Sequence, residues 1–175
     1  NSDYVISLKK QASIDELTNL PNRSYFLTHF ETVLKRSARH GSHFLVCFMD
    51  CDGFKLINDE HGHSVGDKIL QHIATQVLGV IRENDFFARF SGDEFCLILE
   101  EVLSEEAVHA TLDKILKAVA TPIWIDKRSI QITMSIGVAR YPEAGESEEV
   151  LLQHADEAMY VAKRNQKNKY VIYQA

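Results

Sequence analysis

Apolar residues recur along this chain with two alternating periods, and the switches between them outline its elements. Phe26, Phe30, Val33 and Leu34 fall at helical spacing behind Asn22-Arg23-Ser24, which supplies capping side chains. The pattern predicts an amphipathic helix over residues 25–39, ended by Gly41. Phe44 to Met49 is wholly apolar, as suits a strand buried on both faces. Val65, Ile69, Ile73, Val77 and Val80 mark a second long helix. Val108, Leu112, Ile115, Leu116 and Val119 mark a third, opened by Ser104-Glu105-Glu106 as cap and first-turn acids. Between these helices, residues 86–90 and 95–99 read as a hairpin turning through Ser91-Gly92-Asp93-Glu94. Ile123-Trp124-Ile125 and the alternating Ile130, Ile132, Met134 and Ile136 read as another hairpin, before a helix near 148–163 and a strand at 170–173. Hairpins mixed with helices predict an α+β sandwich with a largely antiparallel sheet, not a doubly wound Rossmann arrangement.

Composition narrows the class. With 175 residues and 45% apolar content, the chain is large enough for a full core and fits one domain better than two. The net charge of −6, without a basic run, argues against a nucleic-acid surface while leaving room for a single nucleotide. Cys47, Cys51 and Cys96 lie in or beside apolar stretches and read as reduced core thiols of a cytoplasmic compartment. No apolar stretch approaches the ~20 residues that span a bilayer, and none reads as a signal peptide, so no membrane contact is expected from this segment.

Two acids at the tip of a predicted hairpin, Asp93 and Glu94, point to chemistry. Adjacent carboxylates there can hold a hard cation, Gly92 lets the backbone approach a bulky anion, and the strand end Asp50-Cys51-Asp52-Gly53 offers further acids to complete a cation site. An EF-hand is excluded, because Lys55 and His61 stand where glycine and glutamate are needed. The glycines and lysine of residues 62–68 have the wrong spacing for a phosphate loop, and His61, His63, Cys47 and Cys51 match no zinc-finger spacing.

Four segments in order carry a family resemblance: Asp15-Glu16-Leu17-Thr18-Asn19-Leu20-Pro21-Asn22-Arg23; the run from Asp50 and Asp52 through Phe54, Lys55, Ile57, Asn58, Asp59, Gly62, His63, Gly66 and Asp67; Arg89-Phe90-Ser91-Gly92-Asp93-Glu94-Phe95; and Asp156, Ala158, Met159, Tyr160, Ala162 and Lys163. On these, the chain resembles a GGDEF-type diguanylate cyclase domain with an SGDEF variant of the signature. The resemblance implies a palm-like nucleotidyl cyclase fold, with a central, mostly antiparallel five-stranded sheet flanked by helices and an extra small hairpin. It divides the chain into residues 1–14, the tail of an upstream linker or signalling helix, and residues 15–175, the catalytic domain. Asp15 to Arg23 is expected to join the two and to do no chemistry.

The activity implied is condensation of two GTP into cyclic di-GMP with release of pyrophosphate, by a homodimer with one GTP per half-site. Asp50, Cys51 and Asp93 match metal-binding positions for Mg2+, two ions per active site, with Mn2+ as the alternative. Asp93 and Glu94 match the catalytic positions. Phe54, Lys55, Asn58, Asp67, Lys163 and Lys167 match substrate-binding positions, Asn58 and Asp67 as guanine readers and the lysines on phosphates. Arg82 and Asp85 match the RxxD product-inhibition site, whose usual second arginine has no counterpart in Leu112-Asp113-Lys114. Two departures stand out: Ser91 replaces glycine, and Lys167 replaces an arginine and so loses the bidentate fork. An upstream sensory or regulatory domain is implied, as is a cytoplasmic place, within a larger membrane-anchored bacterial protein or outside one. The rival reading is a weak or inactive domain that serves as a GTP or cyclic di-GMP receptor; a third is a cyclase using ATP.

Overall fold

The structure, a computed structural model, describes residues 2–101 and 104–175; the side chains of residues 6–11 and residue 1 of the expected tail lie outside the described part. The elements are α1 (Ser2–Ser13), α2 (Arg23–His40), β1 (Phe44–Asp52), α3 (Phe54–His61), α4 (His63–Leu78), β2 (Phe86–Ser91), β3 (Glu94–Glu100), α5 (Glu105–Val119), β4 (Ile123–Ile125), β5 (Arg128–Ile130), β6 (Thr133–Tyr141), α6 (Glu148–Arg164) and β7 (Lys169–Ile172). Five strands form one sheet in the order β2-β3-β1-β6-β7. All its pairings are antiparallel except β6 with β7, so the α+β, mostly antiparallel expectation holds.

Alternation along the central strand builds two cores. Leu45, Cys47, Met49 and Cys51 point into a cluster with Val65, Ile69, Ile73 and Val77 of α4 and Val108, Leu112, Ile115 and Val119 of α5. Phe44, Val46 and Phe48 point the other way, against Phe26, Phe30 and Val33 of α2 and Leu151, Ala155 and Met159 of α6. Each fully buried Phe or Leu removes enough apolar surface to stabilise the fold by about 1.5–3 kcal/mol. All three cysteines are free and buried in these clusters, and burial pushes the Cys47 thiol up to about 12. Helix starts are capped as the sequence suggests: Asn22 accepts from Tyr25 N–H, Ser104 from Ala107 N–H and Ser147 from Val150 N–H, while Gly41 closes α2 with φ 67°. No described helix is long and apolar enough to cross a membrane.

Two expectations need correction. The alternating run from Ile130 to Ile136 is not one strand of a hairpin: β4 pairs with β5 in a separate two-stranded sheet, and β6 then joins β1 in the main sheet. The tight turn through Asp126 and Lys127, both at positive φ, closes the small hairpin, and Ile125 and Ile130 are buried on the main core. The helix α3, between β1 and α4, was not foreseen; none of its residues is fully buried, so it gives little periodic signal.

Candidate functional site

The apolar stripe of β1 that faces α2 and α6 continues, two residues at a time, into Asp50 and Asp52. The same strand end is joined to the β2–β3 turn: Asp50 pairs with Glu94 in register, and Cys51 N–H donates to Asp93 O at 3.2 Å. The turn needs Gly92 at φ 36°, and the ladder shifts register between Arg89 and Ser91, which leaves the acids at the tip. Arg89 secures this turn from behind. Its Nε donates to Gly92 O at 2.9 Å and its Nη1 lies 3.2 and 3.3 Å from the Asp15 carboxylate oxygens. Burial acts to raise the Asp15 carboxyl, but hydrogen bonds from Thr18 and the charge of Arg89 prevail and hold it below its ordinary range. Within the Asp15–Arg23 segment Asn22 also caps α2, and its Nδ2 donates to Ala12 O of α1 at 2.7 Å.

Asp50 and Asp93 come together. Burial first, then the neighbouring Asp93 carboxylate, push the Asp50 carboxyl up to about 7, although Lys163 opposes the shift. Lys163, near the end of α6, donates from Nζ to Cys51 O at 2.6 Å and lies 3.0 Å from Asp52 Oδ1 and 3.7 Å from Asp50 Oδ2. An ammonium held by two carboxylates and a carbonyl shows that this corner selects positive charge with oxygen donors alone. The Cys51 donor is its carbonyl, since its thiol is buried and pushed well above the ordinary range by that burial. Among the described residues no three His, Cys, Asp or Glu side chains form a metal cluster. Two carboxylates and a carbonyl fit Mg2+ all the same, because that ion usually keeps water and substrate phosphates as its remaining ligands. Asp52, which the sequence offered only as a further acid for a cation site, is committed to other partners. It accepts from Thr133 Oγ1 and Ser135 Oγ, both at 2.7 Å, and from Asn168 N–H at 3.0 Å. Burial works to raise its carboxyl, yet these bonds and Lys163 hold it low. Asp52 thus anchors Lys163 and the turn that carries Lys167.

Around this corner lie the other expected residues. Gly53, at φ 75°, turns the chain from β1 into α3, so that Phe54 and Lys55 open that helix beside the acids. Asn58 lies one turn on, and its Oδ1 is buried without a partner. Asp67 is exposed in the first turns of α4, and Lys167 is exposed in the turn after α6 at φ 55°. The departure at Ser91 has a direct consequence: its hydroxyl donates to Glu94 Oε1.

Arg82 and Asp85 lie apart, beyond the far end of β3. A seven-residue strand separates the two ends by about 20 Å. Asp85 is buried, accepts from Arg82 N–H at 2.8 Å and has an unpartnered Oδ1, while the Arg82 guanidinium donates to the carbonyls of Glu100 and Glu101. A cleft of about 920 Å³ opens here, lined in part by His29, Asp85, Phe86 and Glu100. Volume alone does not make it the reacting site, because the paired acids and the ammonium they hold are at the other end. Arg36 of α2 enters the same cleft and donates to the Glu100 carboxylate. The sequence near Lys114 supplies no arginine to this end of the sheet; folding brings Arg36 of α2 to β3 instead.

A family model described as "Diguanylate cyclase, GGDEF domain" matches residues 12–169. The diguanylate cyclase TpbB of Pseudomonas aeruginosa is 39% identical over 163 residues, covering 93% of this chain, and the chain spans 38% of that relative's length. A solved TpbB structure comprising only the GGDEF domain superposes with a TM-score of 0.88 at 36% identity, covering 92% of this chain and 94% of the other. The coiled coil and GGDEF domain of DgcB from Caulobacter crescentus, solved in complex with c-di-GMP, gives a TM-score of 0.89 at 26% identity, covering 98% of this chain and 91% of the other.

Proposed function

Since the chain belongs to the diguanylate cyclase GGDEF-domain family, we propose that it condenses two GTP into cyclic di-GMP as a homodimer, each subunit presenting one GTP. The observation that carries this reading is the convergence of Asp50, Asp93 and the Cys51 carbonyl on one corner that already holds a cationic group. Those three groups would hold Mg2+, or Mn2+ in its place. Two such ions per site would neutralise the triphosphate and lower the pKa of the attacking 3′-hydroxyl. Lys55 and Lys167 approach phosphate oxygens from the exposed side, and Lys163 follows the phosphates from its place between Asp50 and Asp52. The amides at Gly53 and Phe54 supply uncharged donors. Asn58 and Asp67 read the guanine edge, the carboxylate accepting from N1–H and N2–H. Glu94 takes the 3′-hydroxyl proton or supports the metal. The oxygen of one GTP bonds to the α-phosphorus of the other and pyrophosphate leaves; repetition in the opposite sense closes the ring.

Arg82 and Asp85 form the product-binding site under this reading, with Arg36 as the second arginine. Cyclic di-GMP and GTP are the small-molecule partners, an upstream sensory or regulatory domain supplies the input through α1, and the domain works in the cytoplasm. One observation favours the receptor reading instead: the Ser91 hydroxyl holds an oxygen of Glu94. Product formation from GTP and Mg2+ at high protein concentration, wild type against Asp93→Ala, separates the two. Cyclic di-GMP from wild type alone supports the cyclase; binding of cyclic di-GMP without turnover moves the function to a receptor.

A further inference from the structure

Gly66 lies buried in α4 with a helical backbone, so no unusual φ calls for glycine there. Space does. A Cβ at this position would stand 1.9 Å from Asn58 Oδ1, 2.9 Å from Asn58 Cγ and 3.3 Å from Phe54 Cζ. Such carbon–oxygen separations do not occur, so any side chain at position 66 displaces the Asn58 amide. That amide oxygen is buried and has no hydrogen-bond partner. Shape, not a hydrogen bond, therefore fixes its place, and the shape is the bare Cα of Gly66. With the oxygen turned inward, the amide NH2 is the group left to meet a ligand, and it can only donate.

We propose that Gly66 is a specificity-positioning residue: it seats the Asn58 amide so that Nδ2 donates to the acceptor N3 of the guanine base while the adjoining Asp67 accepts from N1–H and N2–H. The inference rests on the reading of this site as a GTP site and assigns which atom of the base Asn58 meets. Three donor–acceptor pairs then lie along one edge of the purine, two from Asp67, next to Gly66 in α4, and one from Asn58, packed against Gly66.

The test compares wild type, Gly66→Ala, Asn58→Ala and the double variant for cyclic di-GMP formation from GTP and from its 3-deaza analogue, whose C–H replaces N3. Gly66→Ala is expected to raise the KM for GTP on the order of tenfold with kcat within about twofold, as suits loss of one oriented hydrogen bond. It should also erase the wild-type preference for GTP over 3-deaza-GTP, and the double variant should be no worse than Asn58→Ala. An unchanged preference in Gly66→Ala, or losses that multiply in the double variant, overturns the proposal. Should Gly66→Ala fail to fold, the double variant must still fold, because it lacks the obstructing oxygen and Cγ; if it does not, the glycine serves packing alone. Wild type that neither converts GTP nor binds it in calorimetry defeats the GTP reading itself, an outcome distinct from an active wild type with an indifferent Gly66→Ala.

Discussion

Lys163 and Ser91 each hold a group that the chemistry would need free. Lys163 lies on Cys51 O and between two carboxylates, the place a metal ion would contest. Lys163→Met should therefore raise the KM for GTP by at least about tenfold, since it loses a phosphate partner and leaves the buried Asp52 carboxylate without its counter-charge; initial rates across GTP concentrations measure this. Ser91→Gly releases Glu94 Oε1 and should raise kcat several-fold at unchanged GTP affinity; an unaltered kcat would show that the hydroxyl is no restraint. The raised Asp50 carboxyl gives a pH signature. In the metal-free fold it keeps its proton up to about 7, whereas an unfolded Asp loses it near 3.8. Between those values the native state binds more protons, so this group's contribution makes stability fall as pH rises, with the full penalty above about 7. Mg2+ should thus raise the melting temperature more at about pH 8 than at about pH 6, and Asp50→Asn should abolish that difference. Equal Mg2+ effects at both pH values in wild type would contradict the assignment of Asp50 as the ligand.

Among the elements, those with an apolar face were legible and those without were not. The spacings Phe26, Phe30, Val33 and Val65, Ile69, Ile73, Val77 mark α2 and α4 because each stripe is buried on the sheet. The helix α3 escaped notice because it fully buries no residue and half-buries polar Asn58 and His61 alongside Phe54 and Ile57, which blurs its apolar stripe. The run from Ile130 to Ile136 misled for the opposite reason: all its alternate residues are apolar, so the change of sheet near Ile132 leaves no mark on the pattern. At the candidate site, the acids, Asn58, Asp67 and Lys163 were singled out by motif order. The part played by Asp52 emerges only when α6 and β6 are laid against β1. The strap between leader and catalytic turn was equally hidden, since Asp15 and Arg89 are far apart in sequence and both about four-fifths buried in side chain. Asp15→Ala should cost about 1 kcal/mol, lowering the melting temperature by about 2–4 °C, and should reduce kcat by freeing the Gly92 turn. A thermal melt and a rate on the same sample would show whether the two losses occur together.

At the scale of the whole molecule, the sheet puts its two polar sites at opposite ends of the same central strands. Asp50 is opposite Glu94 at one end and Phe44 opposite Glu100 at the other, so a ligand at Arg82 cannot touch a nucleotide at Asp93 within one subunit. Under the proposed function, inhibition from the far cleft would act by holding a subunit away from its partner, since each active site would need a second GTP brought by another copy. Arg36 lines the cleft and Arg82 a neighbouring cavity that shares Asp85 and Glu101 with it, and both arginines are engaged: Arg82 with the Glu100 and Glu101 carbonyls, Arg36 with the Glu100 carboxylate. A phosphate must displace these contacts, which lowers its net affinity, while the orphaned Asp85 Oδ1 offers an acceptor for a guanine edge. Arg82→Ala and Arg36→Ala should each leave the initial rate within about twofold and weaken product inhibition by about tenfold or more, the loss of a charge-assisted contact. Progress curves to high turnover read this directly: wild type should slow as cyclic di-GMP accumulates and the variants should run on. If Arg82→Ala slows in the same way, the cleft is not where the product acts; if only Arg36→Ala runs on, the product is held chiefly from α2 and the RxxD pair serves the fold.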